Sequence, residues 1–167
     1  GIEADLTISR TGEEEFYIVT GSAFGVHDRS WIEKHSPRDS SVVIDDLTEE
    51  FGVINLCGPH ARDVLQNVTD DDISNETLPF SSYADIRVAG HPVRAMRIGY
   101  VGELGWEMHM GRENMPAVYR ALSEAGSKYD IADAGYRAID SLRMEKGYLY
   151  WSSDISPDYK PFEAGLG

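Results

Sequence analysis

The sequence predicts an α+β fold in which helices pack on mixed or antiparallel sheets. Alternating, strand-like segments are interspersed with segments of helical spacing, and hairpins outnumber simple β-α-β units. The chain has 167 residues, 41% of them hydrophobic and 10% aromatic. This composition is typical of a folded globule, and the length suits one domain with a proper core.

The first third of the chain contains a hairpin, a helix and two short strands in this prediction. Apolar and polar residues alternate on both sides of a turn at residues 11–13, which predicts a β-hairpin that includes Asp5 in its first strand. Helical spacing predicts a helix over residues 22–36, ended by Pro37. Short buried strands are expected at residues 42–44 and 51–57.

The middle of the chain is predicted to contain a helix and three strands. Pro59 suits the first position of a helix, where its missing N–H costs nothing. Residues 84–88 and 92–98 alternate as paired strands about a turn at 89–91, and residues 106–110 form a further strand.

Two helices are predicted in the last third. The first covers residues 114–125, with Asn114 as its cap, and the second covers residues 133–146. From Tyr148 onward the sequence is irregular and rich in aromatic residues and proline.

Residues 100–107, Tyr-Val-Gly-Glu-Leu-Gly-Trp-Glu, are the strongest candidate for a binding site. Glu103 stands in a turn between two glycines, and a carboxylate can accept two parallel N–H bonds from a planar, amidine-like group. Tyr100 and Trp106 can supply flat apolar walls. A pterin ring offers such an edge and such a face. The alternative is a hairpin turn that carries a solvated glutamate.

Four segments in order resemble the folate-binding domain of the glycine-cleavage T-protein (aminomethyltransferase) family. They are residues 1–8 (GIEADLTI), 55–61 (NLCGPHA), 100–107 (YVGELGWE) and 133–147 (DAGYRAIDSLRMEKG). Their sequences are most similar to those of the dimethylglycine and sarcosine dehydrogenase type. The T-protein itself tends to have Asp-Asp-Leu and Ala-Arg-Asp where this chain has Ala4-Asp5-Leu6 and Ala138-Ile139-Asp140.

The resemblance implies roles for individual residues. Asp5 matches the catalytic aspartate, which accepts or orients a proton on a folate nitrogen. Glu103 matches the pterin-binding glutamate, and Tyr100, Trp106 and Phe80 match or flank positions near the pterin. The helix motif of residues 133–147 implies a partner for the folate tail. Arg143, and less directly Arg137, are the residues expected to contact it. Each has a simpler alternative as a solvated, core or ion-paired side chain.

The resemblance also implies a function. Residues 1–167 would be the folate-binding domain of a larger multidomain flavoprotein, in which a separate FAD domain oxidises an N-methylated amine to an iminium. The present domain would transfer the one-carbon unit to tetrahydrofolate, giving 5,10-methylene-tetrahydrofolate. The FAD domain and a C-terminal domain would lie outside the chain, so the isolated fragment is expected to be inactive. Two alternatives remain: a glycine-cleavage T-protein, and a non-catalytic subunit like the regulatory subunit of pyruvate dehydrogenase phosphatase.

Charge and motif content exclude several other functions. The net charge of −14 disfavours nucleic acid and anionic membranes as partners. The five histidines show no metal-ligand spacing, and no Gly-x-Gly-x-x-Gly motif supports a dinucleotide site within the chain. The single cysteine, Cys57, is expected to be buried at a strand end and fits a reducing compartment, such as a bacterial or archaeal cytoplasm or the mitochondrial matrix.

Overall fold

The structure, a computed structural model, describes residues 1–166. The chain divides into two compact units: Gly1–Asp46 together with the residues from Leu149 onward, and Leu47–Tyr148. Helices and antiparallel sheets occur together, as the α+β prediction requires. None of the described helices is long and apolar enough to cross a membrane.

The first unit contains a hairpin and a helix. Strands β1 (Thr7–Arg10) and β2 (Phe16–Val19) pair antiparallel, with Ile8 opposite Ile18. Helix α1 runs from Gly25 to His35. Residues 149–166 form turns and an isolated bridge between Trp151 and Ile155, which confirms the predicted irregular end for this part of the chain.

The second unit is built on a four-stranded antiparallel sheet of order β3-β6-β5-β4. The strands are β3 (Phe51–Cys57), β4 (Tyr83–Val88), β5 (His91–Met96) and β6 (Gly105–Gly111). A two-residue turn joins β4 to β5, and both of its residues, Ala89 and Gly90, have positive φ angles of 50° and 82°. Such a turn matches the twist of a hairpin, so the predicted pairing about residues 89–91 is confirmed.

Three helices accompany this sheet. They are α2 (Ala61–Gln66), α3 (Met115–Gly126) and α4 (Tyr136–Glu145), and α3 contacts both α2 and β3. Alternate residues of the strands face the helices and form one core, which includes Leu56, Val93, Trp106, Met108 and Met110. The core therefore follows the period of two that the sequence shows along these strands.

The structure corrects several local predictions. Residues 42–44 form no strand, and Val43 is 79% exposed. Helix α2 begins at Ala61, so Pro59 precedes it in a turn instead of occupying its first position. Asn114 makes no capping bond, because its side-chain oxygen lies 3.0 Å from Nδ1 of His91.

Candidate functional site

A cleft of about 950 Å³ lies in the second unit. It is bordered by the end of β3, the turn that leads into β6, helix α3 and the segment that joins α3 to α4. Its apolar walls include Ile54, Leu122, Ile131 and Ile139. The volume is within the range of pockets that hold small organic ligands.

Glu103 stands on the turn between Tyr100 and β6, and residues on both sides of it line the cleft. Gly102 has a positive φ of 71°, a conformation that disfavours a side chain. At Gly105 an added Cβ would lie 2.4 Å from the carbonyl oxygen of Leu56. The backbone N–H of Gly58 donates to the carbonyl of Leu104 over 2.8 Å. The two glycines therefore hold the turn against β3 and leave the Glu103 side chain exposed.

Tyr100 is half-buried at the mouth of the cleft. Its ring lies near that of Tyr148, with centroids 6.1 Å apart and planes inclined by 23°. Tyr100 therefore lines the cleft, and its role as a wall for a heterocycle stays a prediction.

Trp106 belongs mainly to the core. Its side chain is 1% exposed, and the guanidinium carbons of Arg62 and Arg97 lie 5.2 Å and 6.0 Å from its ring centroid. Burial, with a contribution from the charge of Arg62, lowers the pKa of Arg97. Trp106 lines part of the cleft, but most of its ring packs on apolar core residues. The core alternative left open for Trp106 therefore describes it better than a solvent-facing wall.

Arg143 is buried and points into a local network. Its Nε donates to Asp140 over 2.8 Å, and its Nη1 donates to the carbonyl of Tyr148 over 2.9 Å. The guanidinium thus joins the last turn of α4 to the chain that follows it. Arg143 does not line the cleft.

Arg137 and Phe80 are exposed, and neither lines the cleft. Phe80 is 72% exposed although it follows the buried Leu78. Of the predicted binding residues, Tyr100 and Trp106 line the cleft. Glu103 is exposed on the turn beside it, and Phe80, Arg137 and Arg143 do not line it.

Asp5 belongs to the first unit. It is exposed and precedes β1 by two positions, so the prediction that it lies within an apolar strand is wrong. The segment before β1 has no strand partner that would bury the carboxylate.

The cleft has acidic polar residues that the sequence analysis did not select. Glu107, Asp130 and Asp133 line it, and no lysine, arginine or histidine does so among the described residues. The hydroxyl of Tyr119 donates to Asp133, 2.8 Å from its nearer oxygen. Glu107 could have been predicted as a cleft residue, because strand alternation places it on the same side of β6 as Gly105. Asp130 and Asp133 could not, because they lie in a segment without a periodic pattern.

Cys57 ends β3 at the edge of the cleft and is exposed, so the expectation of a buried cysteine is wrong. Partial desolvation of its thiol raises its pKa, and the negative charge of Glu103 raises it further. Within the described residues no group of three histidine, cysteine or acidic side chains could hold a metal ion.

Comparisons with known proteins agree with this architecture. Residues 1–167 match the GCVT N-terminal domain. The chain is 43% identical to human mitochondrial sarcosine dehydrogenase, and the match covers 99% of this chain and 20% of that protein. It is 40% identical to mouse mitochondrial dimethylglycine dehydrogenase, covering 99% of this chain and 19% of that protein. An aminomethyltransferase of Halothermothrix orenii is 32% identical, over 100% of this chain and 46% of that protein.

A solved structure shares the fold. The heterotetrameric sarcosine oxidase of Corynebacterium sp. U-96, in complex with pyrrole 2-carboxylate, superposes with a TM-score of 0.61 at 19% identity, over 81% of this chain and 66% of that one. The chain spans about a fifth of the length of the two dehydrogenases it matches. Because the family match covers its whole length, the chain belongs to the GCVT N-terminal domain family.

Proposed function

We propose that the cleft of the second unit binds the pterin end of tetrahydrofolate. The observation that carries the proposal is the turn of residues 100–105, in which Tyr100, Val101 and Gly105 line the cleft of about 950 Å³ and Glu103 is exposed between them. A carboxylate there can accept two N–H bonds from the amidine-like edge of the pterin. The ring of Tyr100 would cover one face of the heterocycle.

The charge of the cleft supports binding of the heterocycle in preference to the anionic tail of folate. Three acidic side chains and no basic side chain line it among the described residues. An anionic tail would be repelled by these carboxylates, so we expect the tail to leave the cleft toward solvent or toward other parts of a longer protein.

We further propose that the chain is the one-carbon transfer domain of a flavin-dependent enzyme of the dimethylglycine or sarcosine dehydrogenase type. The identities of 43% and 40% to those dehydrogenases, against 32% to an aminomethyltransferase, favour this type. FAD would reside in another domain of the longer protein and supply the oxidation that yields the iminium. The one-carbon unit would then join tetrahydrofolate as 5,10-methylene-tetrahydrofolate.

Asp5 would accept or orient the proton that is displaced from a folate nitrogen. Its exposure leaves the carboxylate free to approach a ligand. An aminomethyltransferase would use the same binding residues with a different donor, and a regulatory subunit would bind without turnover.

Calorimetric titration of tetrahydrofolate into the wild type, Glu103→Gln and Glu103→Ala tests the binding site. We expect both variants to lose at least about tenfold in affinity, because two charge-assisted hydrogen bonds contribute roughly 1.5–3 kcal/mol each. Glu76→Gln, an exposed glutamate away from the cleft, is the matched control. Equal affinities in all four proteins would contradict the proposal.

A further inference from the structure

His27, near the start of α1, lies between two carboxylates. Its Nδ1 is 2.9 Å from Oδ1 of Asp28, and its Nε2 is 3.3 Å from Oε1 of Glu3. All three residues belong to the first unit. The imidazole thus bridges helix α1 and the N-terminal segment that also carries Asp5.

Asp28 is a fixed anchor for this bridge. It is 3% exposed, and the hydroxyl of Thr20 donates to its second oxygen. It also lies in the first turn of α1, where the helix dipole favours a negative charge. The buried carboxylate therefore orients the imidazole of His27.

The N-terminal segment is tied down on the other side of Glu3. The indole N–H of Trp151 donates to the carbonyl of Ile2 over 2.9 Å, and the N–H of Ile2 donates to the carbonyl of Tyr159 over 3.0 Å. The Trp151 ring lies 5.2 Å from that of His27. Glu3, which contacts His27, stands two residues before Asp5 in this segment.

The protonation state of His27 decides whether the bridge is complete. A neutral imidazole has one N–H, whereas both of its neighbours here are carboxylates, which accept hydrogen bonds. Only the imidazolium donates to Asp28 and to Glu3 at once. Loss of the proton therefore releases one carboxylate.

We propose that His27 is a positioning residue for Asp5: as an imidazolium it joins Glu3 to Asp28 and so fixes the segment on which Asp5 stands two residues later. The inference rests on the proposed role of Asp5 in one-carbon transfer. The inference adds His27 to the residues that serve this role. His27 acts through Glu3 and does not itself contact the folate.

The electrostatic surroundings favour the charged form. The hydrogen bond with Asp28 is the main cause that raises the pKa of His27. Desolvation, the next largest cause, opposes it, and the charges of Asp28 and Glu3 add to the rise. From the segment after α4, the ring of Trp151 faces His27 and carries no charge. Since the folded pKa is raised, the stabilisation is complete below about pH 6.5 and is lost as the pH rises through the folded pKa.

Nuclear magnetic resonance of the full chain tests the inference without folate. The side-chain nitrogens of His27 and the backbone amide of Asp5 are followed from pH 5 to pH 9 in the wild type, Glu3→Gln and His27→Gln. We expect the Asp5 amide to shift with the His27 midpoint in the wild type and to lose that inflection in His27→Gln. Glu3→Gln should lower the His27 midpoint by about half a pH unit or more, because one anionic partner is removed.

His35→Gln is the matched control, since His35 lies on the same helix and its Nδ1 contacts the carbonyl of Trp31. This variant should leave the Asp5 inflection unchanged. An Asp5 amide that does not respond to His27 titration in the wild type would overturn the inference. Absence of tetrahydrofolate binding would overturn the proposed function instead, and the two failures are therefore distinguishable.

Discussion

Asn55 on β3 and Glu107 on β6 are direct cross-strand partners, and both line the cleft. Their side chains stand on the face of the sheet opposite to Trp106 and Met108, which enter the core. The register of this strand pair therefore keeps the two polar side chains off the core face of the sheet. A shift of one position would turn them toward the core.

Gly105→Ala should destabilise the protein by about 1–3 kcal/mol, because an added methyl group in a packed site must displace its neighbours. The new Cβ would lie 2.4 Å from the carbonyl oxygen of Leu56, which is backbone and part of the sheet. Urea unfolding measures the change. Gly99→Ala is the control, since nothing lies within 4 Å of its added Cβ, and equal stabilities of the two variants would contradict the packing argument.

Arg143→Ala should lower the free energy of unfolding by about 1–3 kcal/mol, because it removes the packing of a buried side chain together with its hydrogen bonds. The lost bonds are those to Asp140 and to the carbonyl of Tyr148. Arg137→Ala on the exposed face of the same helix should change stability by less than about 0.5 kcal/mol. If Arg143→Ala instead kept full stability and lost folate affinity, the direct binding role implied by the family resemblance would be supported.

Glu103→Gln should speed the alkylation of Cys57 by iodoacetamide at pH 8. Removing the negative charge takes away one of the two causes that raise the thiol pKa, so a larger fraction of thiolate is present. Desolvation, the larger cause, remains, so the pKa should stay above that of a free cysteine. Glu76→Gln serves as control, and an unchanged rate in Glu103→Gln would show that the two side chains are not coupled.

Tyr119→Phe should destabilise the wall of the cleft by about 0.5–1.5 kcal/mol, the usual net contribution of a hydrogen bond. The hydroxyl of Tyr119 ties α3 to Asp133 in the segment before α4. Hydrogen exchange of residues 130–134 should increase in this variant. Tyr136→Phe removes an exposed hydroxyl on α4 and should leave both measurements unchanged.

Periodic segments of the fold were predictable from sequence. The alternation of β4 and β5 and the short turn between them predict the observed hairpin, and the helical spacing within residues 114–125 predicts α3. The strand expected at residues 42–44 fails because β-branched residues favour a strand only where a partner and a face to bury exist. Val43 has no strand partner and no buried face, as its exposure shows.

The candidate site was predictable only in part. The glycines around Glu103 indicate a special turn, and the structure explains both of them by backbone conformation and close packing. The burial of Arg143 and the exposure of Phe80 depend on tertiary contacts, which local spacing does not reveal. The roles of Asp5 and Glu103 in folate chemistry stay predictions that the titrations above address.

All residues that line the cleft fall between Ile54 and Ile139 in the sequence. All lining residues have therefore been synthesised once the ribosome has passed α4, and the cleft needs no residue that is translated later. A gene segment that encodes Leu47–Tyr148 carries the complete set of lining residues. Recombination could transfer this cleft between larger proteins as a single insertion, and the acidic residues that line it would be transferred as well.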